Sequence, residues 1–230
     1  MKKKCTIELF SGLESFSNVA RGVLIGHSDF FTIDNDPFFN ATFQEDILAF
    51  KYKEKIPPSE YMVTHIWASP PCTEYSRART TGPPRDFVLA DSLVLKAREI
   101  IDYYTQHSNP GLIFYIENPA NGYLKTRRIM QDLNEKNQSH FVNYCAYQPA
   151  WGLRKGTLIW TNQKGFVGRK CPGARNCLGA MPSPYVANRF VHKHTPRGKY
   201  WHSAEWKSPQ EKKRKLGRVP PLLVKGLLCA

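Results

Sequence analysis

Short β-rich runs alternate with helical stretches along the first two thirds of this 230-residue chain. That alternation predicts an α/β fold, an open and mainly parallel sheet with helices on its faces. Two further observations agree with it. The stretch "FVLADSLVLKAREIIDYY" (87–104) places Val88, Leu89, Leu93, Val94, Ala97, Ile100, Ile101 and Tyr104 on a helical period, as a helix crossing a sheet requires. The unusual residues also collect where the β-rich runs stop, at Phe10, Asp34, Ser69 and Glu117. Parallel sheets bind ligands beyond the carboxyl ends of their strands.

The elements follow in order. "CTIELF" (5–10) reads as a strand that ends at Ser11-Gly12, and "SFSNVARGVLIG" as a helix with a glycine stop. "HSDFFTID" is a second strand ending in acid, and "VTHIWA" a third. The 87–104 helix leads to the strand "GLIFYIE". A helix over "YLKTRRIMQDLNEK" and a strand at "GTLIWTN" complete the series. After about residue 163, Gly, Pro and basic residues replace the periodic pattern. We therefore divide the chain into an α/β unit (1–162), a small basic region (163–216) and an apolar segment, "RVPPLLVKGLL", within 217–230 that returns to the core.

Hydrophobic residues make up 41% of the chain, enough for a sizeable core. No apolar run reaches the roughly 20 residues of a membrane helix, and the lysine-rich start lacks the apolar stretch of a signal peptide. A soluble intracellular protein is expected, with no membrane partner and a monomer as the simplest state. The balance of 33 Lys+Arg against 19 Asp+Glu, a formal +14, predicts attraction to polyanions, nucleic acid first. Much of the excess lies in "GFVGRKC", "NRFVHKHTPRGKYWH" and "EKKRKLGR". Aromatic residues interleave there with basic ones, as phosphate contact with base stacking requires.

The six cysteines are too dispersed for a disulfide scaffold and read as reduced thiols. Cys72 stands out. In "WASPPCTEYS" (67–76) two prolines stop the strand and stiffen the loop, which then presents the thiol at the ligand edge of the sheet. Cys145 and Cys229 suit inert burial better. In "FYIENPANG", Glu117 closes an apolar run, where desolvation favours a protonated carboxyl, and Asn118-Pro119 fix the turn. "ELFSGLESF" is a strand–Gly–helix turn whose Gly12 permits close approach of a ligand to backbone amides. Asp34 or Asp36 stands where a carboxylate can accept from a ribose. Cys171, Cys177, His192 and His194 hold the residue types of a zinc site. The five residues between the cysteines exceed the usual two to four, so a basic loop with incidental thiols is the alternative and no metal is assigned from the sequence.

In their order (the F-x-G turn, the strand-end acid, P-P-C, E-N-P, a basic strand entry), these residues resemble the DNA cytosine-C5 methyltransferases, in particular the short enzymes of bacteriophages and other viruses. The resemblance covers about residues 6–162 well and the last third loosely. It implies a Rossmann-like class I methyltransferase fold and S-adenosylmethionine as cofactor, lined by Phe10, Gly12, Asp34, Asp46, Ile47 and Pro70. It also implies Cys72 as nucleophile, Glu117 as the acid at the cytosine ring, and Arg154 or Lys155 at its O2. For DNA, the residues beside the loop (Ser76, Arg77, Arg79) and in the basic region (Arg169, Lys170, Arg189, Lys193, Arg197) are the expected contacts. A viral source would place the protein in the host cytoplasm or nucleus. The chain departs from the family at Glu14, where a second glycine is usual, and at Thr157, where a second arginine is often found.

The chemistry is consistent with that assignment. C5 of cytosine is a poor nucleophile until a thiolate adds at C6, and the ring is reachable only when flipped out of a duplex. Two other readings stay open on the sequence. One is an amino-methyltransferase acting on N4 of cytosine or N6 of adenine, whose S-P-P motif carries an aromatic residue where Cys72 stands. The other is an inactive methyltransferase-like protein that only grips DNA. The basic tail does not separate DNA from RNA, because phosphate contacts carry no sequence information.

Overall fold

The computed structural model describes residues 1–77, 79–151, 153–173, 175–182, 190–192 and 217–230. Seven strands form the main sheet: β1 (Lys3–Leu9), β2 (Asp29–Asp34), β3 (Phe43–Gln44), β4 (Tyr61–Ala68), β5 (Ile113–Pro119), β6 (Ser139–Asn143) and β7 (Gly156–Thr161). Their order is β3-β2-β1-β4-β5-β7-β6. Pairing is parallel from β3 through β5, while β7 runs antiparallel to both β5 and β6. The expected mainly parallel sheet is therefore present. Strands β3 and β6 were not read from the sequence; one has two residues and the other, "SHFVN", has polar ends.

The helices are α1 (Ser15–Val23), α2 (Tyr52–Lys55), α3 (Phe87–His107), α4 (Gln131–Glu135) and α5 (Pro221–Leu228). Alternation along the strands sorts the core into two layers. Ile66 of β4 and Ile116 of β5 face Val94, Ala97, Ile100 and Tyr104 of α3. Their neighbours Trp67 and Tyr115 face the other way, toward Phe16 and Ala20 of α1 and Leu223, Val224 and Leu227 of α5. Each of those α5 side chains is fully buried, a gain of about 1.5–3 kcal/mol apiece, and this holds the short terminal helix on the sheet. No described helix is long and apolar enough to cross a membrane. A separate antiparallel pair, β8 (Ala180–Pro182) with β9 (Phe190–His192), lies in the basic region.

The helix expected over "YLKTRRIMQDLNEK" is broken into two 3-10 turns, Leu124–Thr126 and Arg128–Met130, before α4. Arg127 between them is extended. Its guanidinium grips Asp91 of α3 through Nε (3.1 Å) and Nη2 (2.6 Å) and lies over the Phe87 ring. That tertiary contact outweighs the local helical preference.

Order reverses around β1, which has β2 on one side and β4 on the other. The crevice at such a switch lies beyond the carboxyl ends of the two flanking strands. β5 extends past the last β4 pairing, Ala68 with Ile116, so Glu117, Asn118 and Pro119 pair only with β7. On the open side Pro119 interrupts no ladder, which is why a proline is tolerated there.

Candidate active site

Glu117 is the centre of the arrangement. It is 6% exposed, on the free edge of β5. Two donors reach its Oε1: Tyr144 Oη at 2.9 Å and Lys155 Nζ at 3.2 Å. Among the described residues, no donor bonds Oε2. Tyr144 follows β6 and Lys155 precedes β7, and the Tyr144 amide donates to the Lys155 carbonyl at 3.0 Å. The antiparallel β6–β7 pair thus delivers a phenol and an ammonium to one carboxylate. Burial opposes the charge of Lys155, but Glu117, Tyr144 and Cys72 outweigh it and hold the ammonium well above the usual lysine range.

Cys72 belongs to the same electrostatic cluster. Its thiol is half-buried, free of any disulfide, and feels both Lys155 and Glu117. Desolvation pushes its pKa up, the Lys155 charge pulls it down and Glu117 raises it again, leaving it above the ordinary value. The loop that carries the thiol is tied to the strand that carries the acid: Asn118 Nδ2 donates to the Pro70 carbonyl at 3.0 Å. Asn118 is fully buried and its Oδ1 has no partner. Asn118 therefore sits inside β5 and bridges to the cysteine loop, instead of fixing a turn as the sequence reading had it.

The rest of the loop is braced. Arg85 donates to the carbonyls of Glu74, Ser76 (2.9 Å) and Arg79 (2.8 Å). Arg79 pairs with the Glu74 carboxylate and also donates to the Pro83 carbonyl at 2.6 Å. Tyr75 is fully buried; its hydroxyl donates to Asp91 at 2.8 Å and its carbonyl accepts from the Tyr123 amide at 2.9 Å. Of the loop residues expected to meet nucleic acid, Ser76 and Arg79 are half-buried and engaged in the loop, while Arg77 is exposed over the Tyr123 ring. Arg169 and Lys170 are exposed. Arg189, Lys193 and Arg197 lie outside the described residues. Lys155 and Arg154, alternatives on the sequence, point apart: Lys155 is on Glu117, whereas Arg154 is exposed and within electrostatic range of His192.

The expected cofactor residues lie along neighbouring strand ends. Phe10, Gly12 and Glu14 all have positive φ (57°, 48° and 52°), so the chain curls tightly as it leaves β1. This explains why a glycine is usual at position 14. Glu14 adopts the left-handed conformation at a strain of about 1–2 kcal/mol, held by Arg21 at 3.0 Å and by Thr32 Oγ1 at 3.3 Å. Asp34 Oδ2 accepts from the Gly12 amide at 2.8 Å and Oδ1 from Asp36 at 2.9 Å, so its carboxylate shapes the turn and keeps a second lone pair on each oxygen. Pro70 is buried just past the end of β4. Asp46 is exposed, and its Oδ1 accepts from Leu48 at 3.0 Å. Ile47 is 4% exposed and belongs to the α3-side core. Ser11 Oγ, buried in the same turn, has no partner. A polar ligand bearing donors and acceptors fits this edge, because it would satisfy that orphaned hydroxyl.

Sequence reasoning missed Glu8, Tyr144 and Arg85. Glu8 is fully enclosed in β1 and accepts from the amides of Phe16 (3.1 Å) and Ser17 (2.8 Å), so it caps α1, whose own Ncap residue Glu14 makes no side-chain cap. No local motif marks any of the three; each is recognisable only from its partner across the fold. Among the candidate metal residues, Cys171, Cys177 and His192 do come together, but the fourth member is Cys145. His194 lies outside the described residues, and Cys229, expected to be buried, is exposed.

No protein-family model matches the chain. A probable DNA (cytosine-5)-methyltransferase of Frog virus 3 (isolate Goorha) is 30% identical over 164 residues, covering 66% of this chain and 70% of that protein. Among solved structures, the Entamoeba histolytica methyltransferase EhMeth aligns over 73% of this chain and 57% of its own at 14% identity and a TM-score of 0.40. The S. pombe Dnmt2 methyltransferase aligns over 73% and 52% at 16% identity and a TM-score of 0.45. The chain thus spans little more than half the length of these two structures.

Proposed function

The chain belongs to the DNA (cytosine-5)-methyltransferase family, and from that premise we propose that it methylates C5 of cytosine in DNA through a transient bond between Cys72 and C6 of a flipped-out base. The observation that carries this reading is the convergence of the Cys72 thiol, the Glu117 carboxyl and the Lys155 ammonium in one electrostatic cluster. Amino-group methylation needs no covalent adduct and gives no reason to aim a thiol at the site.

Bound S-adenosylmethionine would supply an activated methyl group on sulfur. Phe10, Gly12, Asp34, Asp46 and Pro70 would hold it at the strand ends, with Ser11 Oγ as an added polar contact. Ile47 would back that pocket from the core. Cys72, as thiolate, adds to C6 and makes C5 nucleophilic. Glu117 Oε2 would meet the ring at N3: a proton taken up from solvent on Oε2 as the base enters passes to N3 when the thiolate adds and returns to Oε2 when the carbon–sulfur bond breaks, while Tyr144 and Lys155 fix the carboxyl through Oε1. Lys155, held on Glu117, would serve the polar edge of the ring, and Arg154, on the surface, would not. After methyl transfer a base removes the C5 proton and the carbon–sulfur bond breaks, freeing Cys72. Exposed Arg77, Arg169 and Lys170 would meet phosphates.

The test is incubation with methyl-labelled S-adenosylmethionine and either DNA or RNA, followed by nucleoside mass spectrometry. Labelled 5-methyldeoxycytidine supports the proposal. 5-Methylcytidine from RNA alone would move the substrate to RNA. N4-methylcytosine or N6-methyladenine would replace the reaction.

A further inference from the structure

Three thiols and an imidazole from distant parts of the chain meet beside the catalytic cluster. Cys145, Cys171, Cys177 and His192 each offer a ligand atom, and these atoms lie within 4.8 Å of one another. Cys171 Sγ is 3.4 Å from His192 Nε2. Tetrahedral zinc, with bonds of about 2.3 Å to sulfur and about 2.0–2.1 Å to nitrogen, sets such atoms roughly 3.5–3.8 Å apart. The group needs only a small contraction to reach that geometry. Cys145, Cys177 and His192 are buried and Cys171 is half-buried. All three cysteines are free of disulfides.

The surroundings are built to match. The Cys171 amide donates to Asn143 Oδ1 at 2.9 Å, which fixes one sulfur to the end of β6. The Ala180 amide donates to the Cys177 carbonyl at 2.9 Å and closes the turn into β8. Gly179 sits so close to Cys145 that a Cβ there would lie 3.0 Å from the Pro149 carbonyl oxygen and 3.3 Å from the Cys145 Cβ. A larger residue there would crowd the turn that brings Cys177 onto Cys145.

We propose that Cys145, Cys171, Cys177 and His192 form a structural zinc site that fastens the basic region to the catalytic sheet. Three thiols release their protons to solvent as three zinc–sulfur bonds form, and neutral His192 binds through nitrogen. The resulting centre carries one net negative charge, with the Arg154 guanidinium in electrostatic range. All four positions are protein ligands, leaving none open, so the metal is structural and takes no part in methyl transfer. Its position explains its use. Cys145 directly follows Tyr144, the phenol on Glu117, so metal binding orders the segment that supports the catalytic carboxyl. This inference does not depend on the methyltransferase reading, because its test reads metal and not turnover.

The full chain, purified without chelator, is analysed by inductively coupled plasma mass spectrometry. About one zinc per chain is expected, falling by at least tenfold in both Cys171→Ser and His192→Ala. Cobalt substitution covers the case in which those variants fail to fold. In the native chain it should give the intense visible bands of tetrahedral cobalt and a thiolate-to-cobalt charge-transfer band. Alkylation mapped by mass spectrometry should label exposed Cys229 while sparing Cys145, Cys171 and Cys177 until a chelator is added. Sub-stoichiometric zinc after metal reloading would overturn the proposal. So would an octahedral cobalt spectrum, or a disulfide among the three cysteines in freshly reduced, zinc-supplied protein.

Discussion

The Lys155 ammonium lies 3.2 Å from Oε1 of Glu117, and both side chains are nearly closed off from solvent. Neither charge would be tolerable there alone, since removing one partner of a buried pair strands the other. The pair also faces Cys72, so one cation serves two acidic groups. The behaviour of the site follows from that sharing.

Lys155→Met should destabilise the fold by about 3–5 kcal/mol, because it leaves a buried carboxylate without its cation. Arg154→Ala, on an exposed side chain, should stay within about 0.5 kcal/mol of the parent. Adding Glu117→Gln to Lys155→Met should restore much of the loss. Urea denaturation of the four proteins checks this, and equal losses for Lys155 and Arg154 would contradict the assignment.

Cys72→Ser should lower methyl transfer by at least about 10³-fold while leaving the fold intact, and should abolish covalent trapping on 5-fluorocytosine DNA. Burial raises the thiol pKa of the native chain, so the thiolate fraction grows as pH rises. Single-turnover rates should therefore climb through the alkaline range. A flat profile would show that thiolate formation does not limit the reaction.

Tyr144→Phe removes one of two donors to Glu117 Oε1 and keeps the ring. The loss should be about 1.5–3 kcal/mol of stability, the worth of a hydrogen bond to a charged group. If Tyr144 also positions the carboxyl, kcat should fall roughly tenfold, or about 1.4 kcal/mol of barrier, with KM for DNA little changed. A change in KM alone would assign Tyr144 to binding.

Glu8 supplies a pH dependence away from the chemistry. Burial is the main cause that lifts its carboxyl from 4.5 to about 7, against the pull of the Ser17 and Phe16 amides. The folded chain then holds a proton that the unfolded chain has lost, so stability falls as pH rises from 4.5 to about 7. The full effect is about 3 kcal/mol, and Glu8→Gln should flatten the slope in that window. Urea midpoints across the range decide it; an unchanged slope would place the titration elsewhere.

Much of the sheet was legible in the sequence because its signals are local. Alternating and helical apolar periods marked β1, β2, β4, β5, β7 and α3, and prolines beside Cys72 marked where a strand had to stop. Cys72 and Glu117 drew notice from the sequence because one follows a proline-stopped strand and the other puts an acid after an apolar run. The F-x-G turn was readable too, but the reason Glu14 can occupy a left-handed position lies in Arg21 and Thr32. Tertiary structure alone decided the partners. β6 and β7 run antiparallel, and that pairing brings Tyr144 and Lys155 to one oxygen of Glu117. It set Lys155, not Arg154, on Glu117, broke the helix expected at 123–136 through Arg127 and Asp91, and brought Cys145 to Cys171, Cys177 and His192. The physical reason is range. Backbone preference and burial act over a few residues and leave a periodic trace, whereas the Glu117–Lys155 pair joins positions 38 apart whose meeting depends on how the strands are ordered.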